Sequence, residues 1–339
     1  MKNQKNVAVL FINLGTPSQL KESIVKKYLS EFLMDERVID IPYLYRSLLV
    51  NVIIAPHRAK KSLEKYKKIW NYEKNESPLI TITRSFISKL KSGLPDILID
   101  FAMRYGEPRI EEKLNFFYRQ GVRYLYVIPL YPQYATSTIG SSLASVYKIN
   151  SKFWDPMMIT VHPVIYNDPE FIDLWVKHIQ DELPEFRNYY FIFSFHGVPV
   201  RHIEKSDQKN VCLKDNCCEI QQPEYCYRAQ CFYLAKQISH RLGLDDYLVA
   251  FQSRLGKEKW TQPYLEEVII DVAKKHDQIC VVPLSFVSDS LETLEELQIT
   301  IKEMLMSHRI KNYKVIPALN DKNEWIEYWK NNILKFLEN

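Results

Sequence analysis

The stretch YYFIFSFHG (residues 189–197) is the most apolar run of the chain, and it ends at a histidine followed by a glycine. Its apolar residues are continuous rather than alternating, which is typical of a parallel strand that is covered on both faces. Similar runs of strand length recur on either side of it. They are VAVLFINL (7–14), LIDFAMRYG (98–106), YLYVIPLYP (124–132), YLVAFQS (247–253) and ICVVPLS (279–285).

Segments with apolar residues at helical spacing separate these runs, for example EEKLNFFYRQ (111–120) and RAQCFYLAKQISHRL (228–242). Strand–helix alternation through both halves predicts an α/β fold with two doubly wound, Rossmann-like domains, each built on a parallel sheet. We predict a first domain over residues 1–152 and a second over 153–318. The remaining segment, 319–339, is expected to be a helix that packs back, with the first domain as its candidate partner.

The overall composition excludes several classes of protein. The 339 residues are 46% apolar and 25% charged, as in an ordinary globular protein. A net charge of +4 and a pI near 8.5 are too mild to favour nucleic acid as a partner. The first residues have the features of a strand rather than of a secretory signal, and no run reaches the roughly 18 apolar residues of a membrane span. We therefore expect a cytoplasmic protein, in which stable disulfides are uncommon.

His196 is the first candidate for chemistry, because a deeply buried strand should not end on an ionisable ring without a reason. Taken alone, such a histidine is more often held by a backbone carbonyl at the sheet edge than catalytic. Its imidazole nevertheless titrates near neutral pH, and the neutral ring is a ligand for divalent metals. In sheets of this class, ligands bind beyond the carboxyl ends of the strands, which is where His196 lies.

An acidic segment that follows the strand-like run ICVVPLS is the second candidate. Asp289, Glu292 and Glu296 are spaced by three and then four residues, which places them on one face of a helix. Glu295, in contrast, is expected to serve the helix dipole. Three carboxylates on one face suit solvation, protons or a divalent cation such as Fe²⁺. A histidine facing a carboxylate would form a half-open metal site or a proton-transfer pair, although the sequence does not show that they meet.

Five of the six cysteines lie within residues 211–231, with the spacing C-x₄-C-C-x₇-C-x₄-C. Disulfides are disfavoured by the expected compartment, and zinc sites usually show C-x₂-C pairs that are missing here. Iron–sulfur clusters take thiolates from more widely spread positions. Zinc, an iron–sulfur cluster and free thiols all remain open at this point. The sixth cysteine, Cys280, lies in an apolar run and is most simply a small buried residue.

Seven motifs, in their order along the chain, resemble those of the ferrochelatases, and the resemblance covers nearly the whole sequence. They are NLGTP (13–17), MRYGEP (103–108), YPQYATSTIGSS (131–142), SFHGVP (194–199), FQSRLGKEKW (251–260), SDSLETLEEL (288–297) and IPALND (316–321). The resemblance implies a bacterial enzyme, a lyase of haem biosynthesis, that inserts Fe²⁺ into protoporphyrin IX.

The resemblance also implies the roles of particular residues. His196 and Glu292 would be catalytic and would bind the Fe²⁺ substrate, with Asp289 and Glu296 continuing a path for metal or protons along a helix that contains a π-type turn. The porphyrin would lie in a cleft between the two domains. The residues at positions that match the family's pocket-lining motifs would bind it; they are Leu14, Arg104, Tyr105, Tyr134, Ser137 and Trp260. Tyr134 and Trp260 could equally be core aromatics, and Arg104 a surface cation.

Some ferrochelatases carry a [2Fe–2S] cluster, and the resemblance makes this the favoured cofactor. Its ligands would be Cys212, Cys217, Cys218 and Cys226, with Cys231 as the alternative. Residues 40–61 combine an apolar run with a basic end. They are expected to form a buried element or, alternatively, a lip that rests on the inner face of a membrane.

Two other functions remain as alternatives to a protoporphyrin ferrochelatase. One is insertion of Fe²⁺ into coproporphyrin, or of Co²⁺ into another tetrapyrrole, by the same fold. The other is a non-catalytic sensor that binds a tetrapyrrole or an iron–sulfur cluster, although a sensor needs neither a base nor an acidic path. The sequence does not predict the oligomeric state.

Overall fold

The computed structural model describes residues 6–208, 210–214, 217–220, 226–256, 258–306 and 310–338. The chain divides into two compact units. The first contains residues 1–131, 136–163 and 320–339, and the second contains residues 132–135 and 164–319. The first unit therefore extends beyond the predicted boundary at residue 152, and it includes most of the C-terminal segment.

The first unit contains a sheet of four parallel strands. They are β1 (Val7–Thr16), β2 (Leu98–Gly106), β3 (Tyr124–Pro129) and β4 (Met158–Val161), in the spatial order β2-β1-β3-β4. The second unit repeats this order as β6-β5-β7-β8. Its parallel strands are β5 (Tyr190–His196), β6 (Tyr247–Gln252), β7 (Gln278–Pro283) and β8 (Asn312–Val315).

Helices lie between the strands throughout the described residues, which confirms the predicted α/β class with two parallel sheets. The α-helices are α1 (Glu22–Leu33), α2 (Tyr43–Leu48), α3 (Ala55–Ile69), α4 (Pro78–Gly93), α5 (Ile110–Arg119), α6 (Ser141–Asn150), α7 (Pro169–Glu182), α8 (Val200–Ser206), α9 (Cys217–Ile220), α10 (Tyr227–Leu242), α11 (Leu265–Ala273), α12 (Lys302–Leu305) and α13 (Asn323–Glu338). Three further segments are π-helical: Leu49–Ile54, Thr136–Gly140 and Glu292–Ile301.

The central strand β1 shows why the apolar runs are continuous. Leu10 and Ile12 point to one face of the sheet, where they pack in a fully buried cluster with Leu114 of α5. Phe11 points to the opposite face. There it makes edge-to-face contacts with Phe86 of α4 and Trp329 of α13, at ring-centroid distances of 5.3 and 5.5 Å. Both faces of β1 are therefore covered, and α13 supplies part of the cover.

A buried ionic network lies at the carboxyl end of β2. Arg104 forms an ion pair with Asp35, whose side chain is 5% exposed, and the Arg104 Nε–H donates to Ser141 Oγ at 2.6 Å. The Tyr105 hydroxyl donates to Asp35 Oδ2 at 3.0 Å, and the Arg104 guanidinium lies 4.4 Å from the centroid of the Tyr105 ring. Four polar side chains from three separate segments thus satisfy one another inside the first unit.

This network sets the ionisation of Asp35. Burial alone would raise the pKa of its carboxyl, but hydrogen bonds from Ser141 and from the backbone amide of Arg37, together with the charge of Arg104, outweigh burial. The net result is a pKa below the ordinary value of 3.8. A carboxylate whose pKa falls on folding stabilises the folded state above its unfolded pKa, and this contribution is lost as pH falls through its folded pKa.

We expect Asp35→Asn to lower the free energy of unfolding at neutral pH by about 3 kcal/mol, the lower end of the range for removing one partner of a buried ion pair. The lower end applies because the Arg104 side chain is 19% exposed. The difference from the wild type should narrow as pH falls below 3.8, since the protonated wild type then resembles the variant. Urea unfolding at several pH values measures both effects.

Asp155→Asn is the matched control, because Asp155 pairs with Arg123 in the same unit and both side chains are more than half exposed. An exposed pair of this kind contributes about 0–1 kcal/mol. If Asp35→Asn lowered the free energy of unfolding at neutral pH no more than this control does, the stabilising role of the buried network would be refuted.

Candidate active site

His196 is the last residue of β5 and is half-buried. Its Nδ1 atom lies 2.6 Å from the carbonyl oxygen of Gly197. A carbonyl oxygen only accepts hydrogen bonds, so in this arrangement Nδ1 carries a proton, and in the neutral form of the ring the lone pair is on Nε2. The expected carbonyl contact is therefore present, and it leaves the second ring nitrogen able to accept a proton or to ligate a metal.

Two aromatic rings flank the imidazole of His196. The ring centroids of Trp260 and Phe286 lie 6.5 and 6.2 Å from that of His196. Trp260 is 9% exposed, and its Nε1–H donates to the carbonyl of Leu255 at 3.0 Å. A side-chain Cβ at Gly197 would come within 3.2 Å of the Trp260 ring, so glycine permits this close packing beside the histidine.

The acidic segment forms the π-helix Glu292–Ile301, which agrees with the π-type turn that the resemblance implied. Glu292 and Glu296 are both half-buried. The Glu296 carboxylate accepts hydrogen bonds from the backbone N–H of Ser253, at 2.9 Å, and from the Ser253 hydroxyl. The Glu292 carboxylate accepts one from the Ser290 hydroxyl at 2.7 Å.

Glu296 is electrostatically linked to both predicted catalytic groups. Burial raises the pKa of Glu296, the hydrogen bonds from Ser253 and the charge of His196 oppose that rise, and the charge of Glu292 adds to it. The net shift is upward. A carboxyl with a raised pKa that interacts with an imidazole can exchange protons with its surroundings closer to neutral pH. The charges of His196 and Glu292 thus both act on the carboxyl of Glu296.

Asp289 does not share the helical face that the spacing predicted. It precedes the π-helix, is 5% exposed, and accepts a hydrogen bond from the backbone N–H of Ala318 at 3.2 Å. The α-helical spacing rule fails here because the helix begins only after Asp289. Glu295 does lie in the first turn, as expected, but it is 1% exposed and accepts a hydrogen bond from the Thr300 hydroxyl.

Two residues at the end of β6 were not singled out from the sequence. Gln252 accepts a hydrogen bond from the Ser194 hydroxyl at 2.7 Å and donates to the carbonyl of Glu292 at 3.1 Å. Ser253, with a φ of 66°, holds the carboxylate of Glu296. The sequence could have pointed to both residues, because they lie at the carboxyl end of a buried parallel strand, as His196 does at the end of β5.

The residues predicted to bind porphyrin are divided between the two units: Leu14, Arg104, Tyr105 and Ser137 belong to the first, and Tyr134 and Trp260 to the second. Arg104 and Tyr105 belong to the buried network with Asp35, so Arg104 is not a free surface cation. The backbone N–H of Tyr134 donates to Gln230 Oε1 at 2.7 Å. Leu14 is half-buried near the carboxyl end of β1. Ser137 lies in the segment Thr136–Gly140, and Trp260 flanks His196. Their role toward a porphyrin stays a prediction.

The cysteine segment gathers its thiols into pairs. Cys212 Sγ lies 3.7 Å from Cys226 Sγ, and Cys217 Sγ lies 3.9 Å from Cys218 Sγ. Two sulfurs on one tetrahedral ion with metal–sulfur bonds of about 2.3 Å are about 3.7 Å apart, so each pair has a suitable separation. The Arg228 guanidinium donates to Cys218 Sγ at 3.1 Å. Residues 215, 216 and 221–225 of this segment lie outside the described residues.

The surroundings of Cys212, Cys217 and Cys218 favour the protonated form of each thiol. The contact with Cys226, together with burial, raises the pKa of Cys218, and burial raises the pKa of Cys212 and Cys217. Binding of a metal would therefore have to release protons. Across the described part of the chain, no group of three or more His, Cys, Asp or Glu side chains converges on a single point as one metal ion requires. The two sulfur pairs therefore do not form a ready-made site for a single metal ion.

The segment 40–61 is helical, and one of its sides is buried through Val50, Ala55 and Ala59, whereas another side is exposed. It comprises α2, the π-helical segment Leu49–Ile54 and the start of α3. Six large apolar side chains are 58–79% exposed there: Tyr43, Leu44, Tyr45, Leu48, Val52 and Ile53. Arg58, Lys60 and Lys61 follow on α3 and are exposed. None of the helices in the described ranges is long and apolar enough to cross a membrane.

Comparison with known proteins gives a consistent result over nearly the whole chain. A model of the ferrochelatase family matches residues 6–336. A ferrochelatase of Coxiella burnetii is 40% identical over 333 residues, which is 96% of this chain and 92% of the relative. A ferrochelatase of Bdellovibrio bacteriovorus is 37% identical over 329 residues, which is 94% of this chain and 96% of the relative.

Among solved structures, the fold is similar to that of SirB from Bacillus subtilis, determined with Fe³⁺. The TM-score is 0.55 at 12% identity, over 97% of this chain and 95% of SirB. At this identity the similarity concerns the fold alone. The family match and the two relatives show more: the chain belongs to the ferrochelatase family, whose members are metal chelatases.

Proposed function

We propose that the protein inserts Fe²⁺ into protoporphyrin IX to form protohaem, a lyase reaction of haem biosynthesis that releases two pyrrole protons. The observation that carries this proposal is the contact of His196 Nδ1 with the Gly197 carbonyl, which directs Nε2, the nitrogen that holds the lone pair in the neutral ring, away from that carbonyl. Family membership supports porphyrin and ferrous iron as the substrate classes. The cytoplasm is the proposed location.

The residues suit the chemistry of metal insertion. A free-base porphyrin must lose two N–H protons as the metal enters, so a base of near-neutral pKa is needed at one face. His196 Nε2 accepts these protons in the proposal. Glu296, whose pKa is raised and whose carboxyl interacts with His196, passes them on together with Glu292. The rigid ring of Trp260 beside His196 provides an apolar wall against which a macrocycle can be bent from its plane.

We expect His196→Ala to lower kcat/KM for haem formation by about 10²–10⁴-fold, the usual contribution of general acid–base catalysis. The assay supplies Fe²⁺ and protoporphyrin IX without oxygen and follows the absorbance of haem. His276→Ala is the matched control. His276 precedes β7, so it lies at the amino ends of the strands, whereas His196 lies at a carboxyl end, and it stacks on Tyr190. Its activity should remain near that of the wild type.

The same assay separates the alternative functions. Faster turnover of coproporphyrin III, or of Co²⁺ in place of Fe²⁺, would contradict the proposed substrates while keeping the enzyme class. Tight porphyrin binding without turnover by the wild type would instead identify a sensor, and the role of His196 as a base would then be untenable.

We also infer that Cys212, Cys217, Cys218 and Cys226 hold a [2Fe–2S] cluster, with Cys231 as the alternative ligand. The two sulfur pairs support this proposal, because each iron of such a cluster takes two thiolates. The donor from Arg228 to Cys218 would offset negative charge on a thiolate ligand. When bound, the cluster would supply a one-electron redox centre and cross-link the segment. No step of the metal insertion depends on it.

The protein purified without oxygen should show visible absorption bands that bleach with dithionite, with about two irons and two acid-labile sulfides per chain. Cys212→Ser should lose the bands, whereas Cys280→Ala, which changes a buried cysteine of β7, should keep them. A colourless wild type that contains zinc or no metal would exclude the cluster.

We propose that the exposed apolar side chains of residues 43–53 rest on an anionic membrane surface. Six large apolar groups on consecutive helical turns are exposed, and basic residues of α3 follow directly. Apolar residues that enter the headgroup region and cations that meet anionic lipid are the two features of such a contact. The substrate and product proposed above are also poorly soluble in water.

The protein should float with vesicles that contain phosphatidylglycerol, and binding should weaken as salt screens the charges. The double variant Leu44→Glu with Ile53→Glu should abolish flotation. Trp154→Glu is the control, since Trp154 is 97% exposed in the same unit but lies outside the patch. Absence of flotation by the wild type would refute the membrane proposal.

A further inference from the structure

The last residue of β5 is held by side chains on the side where its neighbouring strand has already ended. β7 pairs with β5 only as far as Ser194, which lies opposite Pro283. Beyond that point, the His196 N–H donates to Ser285 Oγ at 3.2 Å, and the His196 carbonyl accepts from the Tyr227 hydroxyl at 2.6 Å. Two side chains thus replace the ladder hydrogen bonds that a longer β7 would make.

The directions of these hydrogen bonds follow from counting donors. The Tyr227 hydroxyl has one proton, and it must go to the His196 carbonyl, because a carbonyl only accepts. The Ser285 hydroxyl lies 3.0 Å from the Tyr227 oxygen and therefore donates to it. The result is a closed ring that runs from the His196 N–H through Ser285 and Tyr227 back to the His196 carbonyl. Closed rings of this kind strengthen each member.

We infer that Tyr227 is the positioning residue that fixes the imidazole of His196 for proton acceptance, an inference that rests on the proposed function. Its hydroxyl immobilises the peptide group between His196 and Gly197. The next carbonyl, that of Gly197, is the one that binds Nδ1–H. Fixing this peptide holds the Cα of Gly197, from which the acceptor carbonyl extends, and so restricts both the acceptor of the ring proton and the direction of Nε2.

Tyr227 is suited to this task by its surroundings. It is buried, and burial raises its pKa well above 10.0, so the hydroxyl remains a donor throughout the working pH range. It is the first residue of α10 and directly follows Cys226, while the Cys231 thiol lies one turn later beside the hydroxyl. The helix that begins at the cysteine segment therefore carries the group that holds the candidate base.

The test uses Tyr227→Phe, which removes only the hydroxyl. We expect kcat to fall at least about tenfold, since small displacements of a catalytic group are costly, with the KM for porphyrin within about twofold of the wild type. Tyr313→Phe is the matched control. It removes the hydroxyl of a half-buried tyrosine, which donates to the Leu297 carbonyl at 2.9 Å in the same unit, and it should lose similar stability but keep kcat.

A spectroscopic readout separates positioning from general support of the fold. In protein with ¹⁵N-labelled histidine, His196 should show the Nδ1–H tautomer, identified among the 8 histidines by the signal that His196→Gln removes. Tyr227→Phe should convert this signal to a mixture of tautomers, and Tyr313→Phe should not. Ser285→Ala, which opens the same ring of hydrogen bonds, should act in the same direction as Tyr227→Phe.

The inference requires both changes in Tyr227→Phe. If kcat falls while the tautomer of His196 is unchanged, or if the tautomer changes while kcat does not, the inference is overturned. If the wild type inserts no iron, the proposed function fails, and the tautomer alone then decides whether Tyr227 orients the ring. An unchanged tautomer would overturn the positioning role in that case too.

Discussion

Parallel pairing of β5 with β6 and β7 is the constraint on which the candidate active site depends. The register sets His196 opposite Gln252 and Ser194 opposite Pro283. The segments that leave these three strands consequently emerge at one edge of the sheet, where Ser253 meets the carboxylate of Glu296. Since side chains alternate along a strand, a slip of one residue would turn the imidazole to the other face.

The same physics explains which strands the sequence reveals. A strand covered on both faces must be apolar at nearly every position, so the continuous runs predict the six strands β1, β2, β3, β5, β6 and β7. Of the four edge strands, β4 and β8 are only four residues long and none of their residues is buried, so they carry no such run. The predicted domain boundary fell before β4, because the sequence does not show that this strand completes the first sheet.

Some residues of the candidate site could be predicted from the sequence, and others could not. His196 and the acidic helix could be predicted, because each follows an apolar strand and the carboxyl ends of parallel strands gather at one edge. The ring that holds His196 could not, because Tyr227 and Ser285 are 31 and 89 residues away along the chain. Asp289 was wrongly predicted to share a helical face with Glu292 and Glu296, because residue spacing alone does not show where a helix begins.

The last helix has a consequence for the making of the protein. Trp329 of α13 packs against Phe11 of β1 in the first unit, whereas residues 164–319 form most of the second. On the ribosome, the second unit must be synthesised in full before α13 exists. One apolar face of β1 therefore remains without its full cover until the last helix has been made. The unit that begins first is completed last.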